Sequence, residues 1–97
     1  MTKAALDNMT TSLAIALGPR KITVNTIAPG SIDTDMNKDR FTDLKLKKAV
    51  ANNTALQRIG TPDDIANAVM NLLNEGGKWI TGQYIEVSGG LGLVKKI

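Results

Sequence analysis

The sequence contains no cysteine and no histidine. Their absence excludes disulfide bonds, thiolate nucleophiles, zinc fingers and any catalytic relay through an imidazole. Adjacent loop acids such as Asp33 and Asp35 are typical of helix caps or solvated side chains, and we predict no metal site. A chain without cysteine fits a reducing compartment, so we expect a cytoplasmic protein.

Aromatic residues are also scarce, at 3% of the 97 residues, so the core has to be built from aliphatic side chains. No run of about 18 apolar residues is present, and the N-terminus lacks a secretory pattern, so we expect no membrane association. The net charge of +3 is small. Lysine and aspartate are mixed through residues 38–48 rather than forming a basic stripe, which argues against nucleic acid as a partner.

Two segments of the first third follow regular periods. Apolar residues recur every three or four positions through residues 2–17, which predicts an amphipathic helix. We expect Gly18-Pro19 to end it, with Gly18 in the left-handed cap conformation. Residues 22–27 alternate apolar and polar side chains and are rich in β-branched types, which predicts a strand that Pro29-Gly30 ends.

The same order of patterns follows in the second half. A charged segment at residues 39–52 predicts a marginal helix within a connection. Thr61-Pro62-Asp63-Asp64 predicts a second helix start, because it offers a hydroxyl cap, a proline at the first helical position and acids against the macrodipole. Gly76-Gly77 ends that helix, and residues 82–87 form a second predicted strand.

The order helix, strand, helix, strand predicts an α/β fold with two parallel strands joined by a right-handed crossover. Two strands leave apolar faces that need cover from another chain or from a missing part of this one. We therefore expect a single partial domain, residues 1–97, that is incomplete without a partner. The residues expected in the core or at an interface are Leu13, Leu17, Val24, Ile27, Ile65, Val69, Leu72, Ile85 and Val87.

Five short motifs occur in a fixed order along the chain, at Lys3–Leu6, Leu17–Pro19, Val24–Gly30, Gly60–Ala66 and Ile80–Gln83. In this order they resemble the C-terminal part of a short-chain dehydrogenase/reductase, in particular the subgroup similar to 3-oxoacyl-carrier-protein reductase. The resemblance implies the C-terminal portion of a Rossmann-like parallel sheet. It also implies an origin in an NAD- or NADP-dependent oxidoreductase acting on a carbonyl or secondary alcohol.

The resemblance gives Lys3 a catalytic and cofactor-binding role. In the family this lysine lies one helical turn after a tyrosine, where it lowers the pKa of that phenol and hydrogen-bonds the nicotinamide ribose. Only two residues precede Lys3, so the tyrosine position falls before this chain. Tyr84 is not expected to replace it, because it belongs to the second strand and has no lysine one helical turn away.

A loop is implicated by the same resemblance. Pro29, Gly30, Ile32 and Thr34 match the family segment that holds the nicotinamide end of the cofactor. A glycine lets the backbone approach a flat ring, the Ile32 amide is suited to a carboxamide, and Thr34 supplies a hydroxyl. We expect Asn25 to hydrogen-bond neighbouring backbone instead of substrate.

Residues 37–58 fall where the family carries its variable substrate lid. The family's glycine-rich phosphate loop, its NAD- or NADP-selecting residue and its active-site serine and tyrosine all precede the matched part. The substrate and the choice between NAD and NADP therefore stay open. We expect the isolated chain neither to bind a dinucleotide tightly nor to turn over substrate.

Three hypotheses follow. The chain is a fragment of an oxidoreductase that regains activity with the missing N-terminal half, or a non-catalytic interaction module that associates with itself. A third possibility is a remnant that folds only when its strands pair with those of a second copy. All three predict a partner, either a homo-oligomer or the N-terminal half.

Overall fold

A computed structural model describes residues 2–33 and 44–94. Its elements in chain order are α1 (Lys3–Leu17), β1 (Thr26–Pro29), α2 (Leu44–Asn52), α3 (Pro62–Leu73) and β2 (Tyr84–Val87), with 3-10 turns at Gly18–Arg20 and Glu75–Gly77. The strands pair in parallel, since the Thr26 amide donates to the Gln83 carbonyl and the Gly30 amide to the Val87 carbonyl. The predicted α/β class with two parallel strands is confirmed.

The chain divides into two compact units, Met1–Ala28 with Ala68–Glu86 and Pro29–Asn67 with Val87–Ile97. Each unit takes part of both strands and part of α3. No helix in the described ranges has the combination of length and apolarity that crossing a bilayer requires.

In the first unit, α1 covers one face of the strands. Thr2 caps the helix by accepting a hydrogen bond from the Ala5 amide at 3.1 Å. Thr10 and Ala14 are the buried residues of α1, and the Thr10 hydroxyl contacts the hydroxyl of Thr26 on β1. Small and hydroxylated side chains at these positions let the helix lie close to the strands.

The end of α1 differs from the expectation. Gly18 has a right-handed φ of −56°, and the left-handed residue is Lys21, with a φ of 63°. Pro19 has a fixed φ that suits the first turn of a helix. The chain therefore continues from α1 into the 3-10 turn, and the left-handed residue comes only after that turn.

The C-terminal half of α3 covers the other face in the first unit. Ile27 and Ile85, on neighbouring strands, share an apolar cavity with Ala68 and Leu72 of α3. Because side chains alternate along a strand, Tyr84 points to the opposite face from Ile85, which is the face that α1 covers. Helices on both faces are the usual arrangement for parallel strands.

The bounds predicted for the first strand are wrong. Residues 22–25 precede the ladder, and their conformation is set by bonds to the segment before β2. The Val24 amide donates to the Thr81 hydroxyl at 3.0 Å, and the Asn25 amide group donates to the Ile80 carbonyl, also at 3.0 Å. Pro29 is the last residue of β1, so the strand ends at Pro29-Gly30 as predicted.

In the second unit, a C-terminal turn holds the segment that follows α2. The Leu56 amide donates to the Gly89 carbonyl at 2.9 Å and the Gly92 amide to the Asn53 carbonyl at 2.9 Å. Thr54 lies between these bonds with 2% of its surface exposed, and its hydroxyl donates to the Val50 carbonyl.

The start of α3 is fixed by a reciprocal cap and an ion pair. The Thr61 amide donates to the Asp64 carboxylate at 2.8 Å, and the Asp64 amide donates to the Thr61 hydroxyl at 3.4 Å, which is a capping box. Arg58 donates to both Asp64 oxygens, at 2.7 and 2.8 Å. The Arg58 hydrogen bonds, followed by that of the Thr61 amide, hold the pKa of Asp64 well below its ordinary value of 3.8.

Hydrophobic burial is limited. Among the described residues, the buried hydrophobic side chains are Ala14 and Ile32. None of the nine residues expected in the core or at an interface is fully buried, and Leu13 and Val69 are 42% and 36% exposed. Trp79 is 98% exposed. Fully burying one large aliphatic side chain contributes about 1.5–3 kcal/mol, and the chain alone forgoes part of that gain at each exposed position.

The Arg58–Asp64 ion pair predicts a pH-dependent stability. We expect Arg58→Met to lower the urea midpoint of unfolding at neutral pH. The pKa of Asp64 is lower in the folded chain than in the unfolded one, so the pair stabilises above the ordinary carboxyl pKa and its contribution disappears as pH falls through the lowered pKa. The midpoint difference between the unmodified chain and the variant should be constant from about pH 5 to pH 7 and shrink below about pH 4.

Arg20→Met is the matched control for that measurement, because it removes a guanidinium from an exposed residue of the 3-10 turn that follows α1. It should show no comparable change of midpoint difference with pH. An Arg58→Met difference that persists undiminished under acid conditions would contradict the assignment to Asp64.

The close approach of Gly30 to the end of β2 predicts a steric requirement for glycine. A Cβ atom at residue 30 would lie 2.7 Å from the Ser88 Cα, so we expect Gly30→Ala to lower the free energy of unfolding by about 1–3 kcal/mol. Gly18→Ala is the control, since nothing lies within 4 Å of its Cβ position. That substitution should be neutral or stabilise by up to about 1 kcal/mol. Urea unfolding followed by circular dichroism compares the two, and equal midpoints would refute the steric argument.

Candidate cofactor-binding site

Lys3 is the first residue of α1, and its side chain is exposed. The first turn contains no acidic residue, so the ammonium lies near the positive end of the helix without a carboxylate in that turn to balance it. The group that it approaches is the ring of Tyr84, whose centroid is 4.8 Å from the Lys3 Nζ. This distance is within the range of a cation–π interaction.

The loop after β1 belongs to the second unit and is held by backbone pairing. Ile32 forms a parallel bridge with Gly60. On either side of it, the Asp33 amide donates to the Gly60 carbonyl at 2.9 Å, and the Gly60 amide donates to the Ser31 carbonyl at 3.0 Å. Ile32 is 9% exposed, so its side chain anchors the loop.

The predicted loop residues are brought together only in part. Pro29, Gly30 and Ile32 lie within one short segment, with Pro29 exposed and Gly30 half-buried. The nearest neighbour of the Gly30 Cβ position is Ser88, which gives this glycine a packing reason within the chain itself. Thr34 lies outside the described residues.

Asn25 does what the sequence predicts. Its side-chain nitrogen donates to the Ile80 carbonyl at 3.0 Å, and its side-chain oxygen accepts from the Gln83 amide at 3.1 Å. Both bonds join the approach to β1 with the approach to β2, so the amide group is used in the fold.

The described part of the lid-like connection, residues 44–58, carries the basic helix α2. Lys47 Nζ lies 3.6 Å from Asp33 Oδ2, and both side chains are about half exposed. Such a pair contributes little to stability, but it joins α2 to the loop after β1. Residues 37–43, the first part of the predicted connection, lie outside the described ranges.

The basic side chains near this loop line a cavity together with Asp33 and Thr61. Lys47 and Arg58 are engaged by Asp33 and Asp64 respectively. An anionic group entering here would therefore compete with carboxylates that are already in place. In the ranges that the structure covers, no three acidic side chains come together in a way that could hold a metal ion.

Sequence reasoning misses the proximity of Tyr84 to Lys3. It correctly assigns Tyr84 to the second strand and finds no lysine one helical turn away, but it does not anticipate a lysine that approaches through space. The alternation of side chains along β2 is the signal that would have indicated it, because it puts Tyr84 on the face that α1 covers.

Lys3 lies in the first unit and the loop after β1 lies in the second. The exposed ammonium of Lys3 can donate hydrogen bonds to hydroxyl groups. The loop that Ile32 anchors also contains Pro29 and Gly30. In the described ranges, neither β1 nor β2 is followed directly by a glycine-rich turn that opens a helix, which is the usual pyrophosphate site.

Comparison with known proteins gives the family of the chain. Residues 1–92 match the family model described as enoyl-(acyl carrier protein) reductase. The chain is 40% identical over 90 residues to L-rhamnose 1-dehydrogenase (NAD(P)(+)) from Azotobacter vinelandii, covering 93% of this chain and 35% of that protein. It is 42% identical over 90 residues to 3-oxoacyl-[acyl-carrier-protein] reductase from Aquifex aeolicus, covering 93% of this chain and 36% of the relative.

A solved structure agrees in fold. 4-Hydroxyisoleucine dehydrogenase, as a mutant complexed with NADH and succinate, superimposes with a TM-score of 0.85 at 31% identity, covering 97% of this chain and 39% of the other. The chain thus spans little more than a third of the length of the relatives that it matches. It belongs to the short-chain dehydrogenase/reductase family and is similar to its 3-oxoacyl-carrier-protein-reductase-like members.

Proposed function

We propose that this chain is the cofactor- and substrate-facing C-terminal part of an NAD- or NADP-dependent oxidoreductase that interconverts a carbonyl and a secondary alcohol. The observation that carries the proposal is the match of residues 1–92 to the family, with Lys3 exposed in the first turn of α1. The nicotinamide cofactor, when bound, supplies or accepts the hydride.

Lys3 would hold the cofactor and assist proton transfer. Its ammonium has three hydrogen-bond donors and no acceptor, so it can bind ribose hydroxyls and stabilise a neighbouring phenolate together. The phenol itself would come from an N-terminal half. A cation near a helix N-terminus is unfavourable for the helix, which supports a functional reason for the lysine there.

The loop after β1 would hold the nicotinamide end. Pro29, Gly30 and Ile32 are proposed to line it, with Thr34 as a further contact. The pairing of residues 31–33 with Gly60 supports a fixed backbone in this loop, and a fixed backbone orients a planar group without a further entropy cost. Residues 37–58 are proposed as the substrate lid.

We propose further that the isolated chain is inactive and needs a partner, either an N-terminal half or a second copy. The limited burial of its large aliphatic residues supports this, since Ile15 and Leu73 are both 73% exposed. Covering such residues is a principal source of stability in association.

A non-catalytic self-association module is the second candidate. Its specific support is Trp79, which at 98% exposure is unusual for the largest aromatic side chain. The two candidates differ in one respect. A fragment restores turnover when it is combined with an N-terminal half, whereas a module associates without restoring it.

A chimera tests the proposal. The matched third of L-rhamnose 1-dehydrogenase from Azotobacter vinelandii would be replaced by this chain, and dinucleotide binding would be measured by calorimetry. We expect micromolar affinity for NAD(H) or NADP(H) in the chimera and none at that level for the isolated chain. Turnover of ketones and secondary alcohols would be followed by nicotinamide absorbance. Lys3→Ala should lower kcat by about 100-fold or more.

Lys78→Ala is the control, because the Lys78 ammonium is exposed and pairs with Glu75 at 2.7 Å. It should leave kcat unchanged. A folded chimera that binds no dinucleotide would refute the oxidoreductase proposal, and turnover by the isolated chain would refute its inactivity.

A further inference from the structure

The ammonium of Lys3 lies over the aromatic ring of Tyr84. The Lys3 Nζ lies 4.8 Å from the centroid of the Tyr84 ring. Tyr84 is half-buried, whereas Lys3 is exposed. The ring is therefore the more fixed of the two groups, and the flexible lysine is the group that gains order from the contact.

Two buried contacts keep α1 against the strands that carry this ring. Thr10, 3% exposed, contacts Thr26 on β1 through its hydroxyl. Ala14, 6% exposed, lies beside Gly82 just before β2, where an added Cβ would be 3.5 Å from the Ala14 Cβ. Lys3 projects from the same helix, so its reach toward Tyr84 is set by packing and not by a mobile segment.

A ring face is well suited to hold an ammonium that must also donate hydrogen bonds. A lysine side chain has several rotatable bonds and loses rotamer entropy when it is fixed. A carboxylate that fixed it would occupy one of its three donors. The ring attracts the charge through its quadrupole, and the donors stay available for other groups.

Asp7 is the alternative group for this ammonium, since it lies four residues along α1. The ion pairs found within the described residues are Lys47–Asp33, Arg58–Asp64 and Lys78–Glu75. Lys3 and Asp7 are not joined in this way, and the ring is the group that the ammonium approaches.

We propose that Tyr84 is a positioning residue, whose ring holds the Lys3 ammonium in place for its part in the oxidoreductase reaction. The inference rests on the proposed function for its catalytic meaning. The Lys3–Tyr84 contact itself is measurable in the chain without any cofactor.

The first test is nuclear magnetic resonance of the chain with lysine carbons labelled. A ring lying over an ammonium shifts the neighbouring methylene protons upfield, so the Lys3 Hε signals should be displaced relative to those of Lys47. Tyr84→Leu should abolish the displacement, and Tyr84→Phe should keep it because the ring is retained. Trp79→Leu removes an exposed aromatic ring and should not change it. The proposal is overturned if the Lys3 signals are undisplaced, or if Tyr84→Leu leaves them displaced.

The second test uses the chimera described above. Tyr84→Leu should lower kcat about two- to fivefold, the factor that corresponds to an exposed cation–π contact, and Tyr84→Phe should restore most of it. Equal kcat values for the Leu and Phe variants would refute the positioning role. A chimera that binds no dinucleotide would refute the proposed function, and the magnetic resonance result would still decide whether Tyr84 holds Lys3.

Discussion

The parallel pairing of β1 with β2 is the constraint on which the rest of the structure depends. Parallel neighbours cannot be joined by a tight turn, and the bonds between the two strand approaches join residues 55 to 58 positions apart. Parallel strands also need cover on both faces. The first unit supplies it with α1 on one side and the end of α3 on the other. The contact of Thr10 with Thr26 is part of the packing of α1 on one of those faces.

The small parallel sheet also explains why so much apolar surface remains exposed to solvent. Four-residue strands offer few inward positions, and helices that pack on so small a sheet can bury only narrow stripes. Hydroxyl groups occupy some of the most buried positions, as at Thr10 and Thr54, where the hydrogen bonds that they make inside the chain offset the cost of burying them. Relatives close to three times as long have further elements available to cover such stripes.

Prediction from the sequence succeeds where the physical cause is local. It locates the start of α3 at Pro62, because cap, proline and acids act within one turn. It places the start of the first strand too early, because the alternation of apolar and polar side chains begins at residue 22, before the hydrogen-bonded ladder that starts at Thr26. For the candidate site, a motif leads it to propose Lys3, but it does not find the ring of Tyr84 beside that lysine. That contact joins residues at opposite ends of the chain, and only the packing of helix on sheet brings them together.

The exposure of Trp79 has a practical meaning. It is the chain's single tryptophan, and in the folded chain it is already surrounded by water. Indole emission follows the polarity of its surroundings, so unfolding this chain changes that emission little. Covering the same surface with another molecule changes it strongly. The fluorescence of Trp79 therefore reports the binding of another molecule over this surface, and it responds little to the folding of the chain itself.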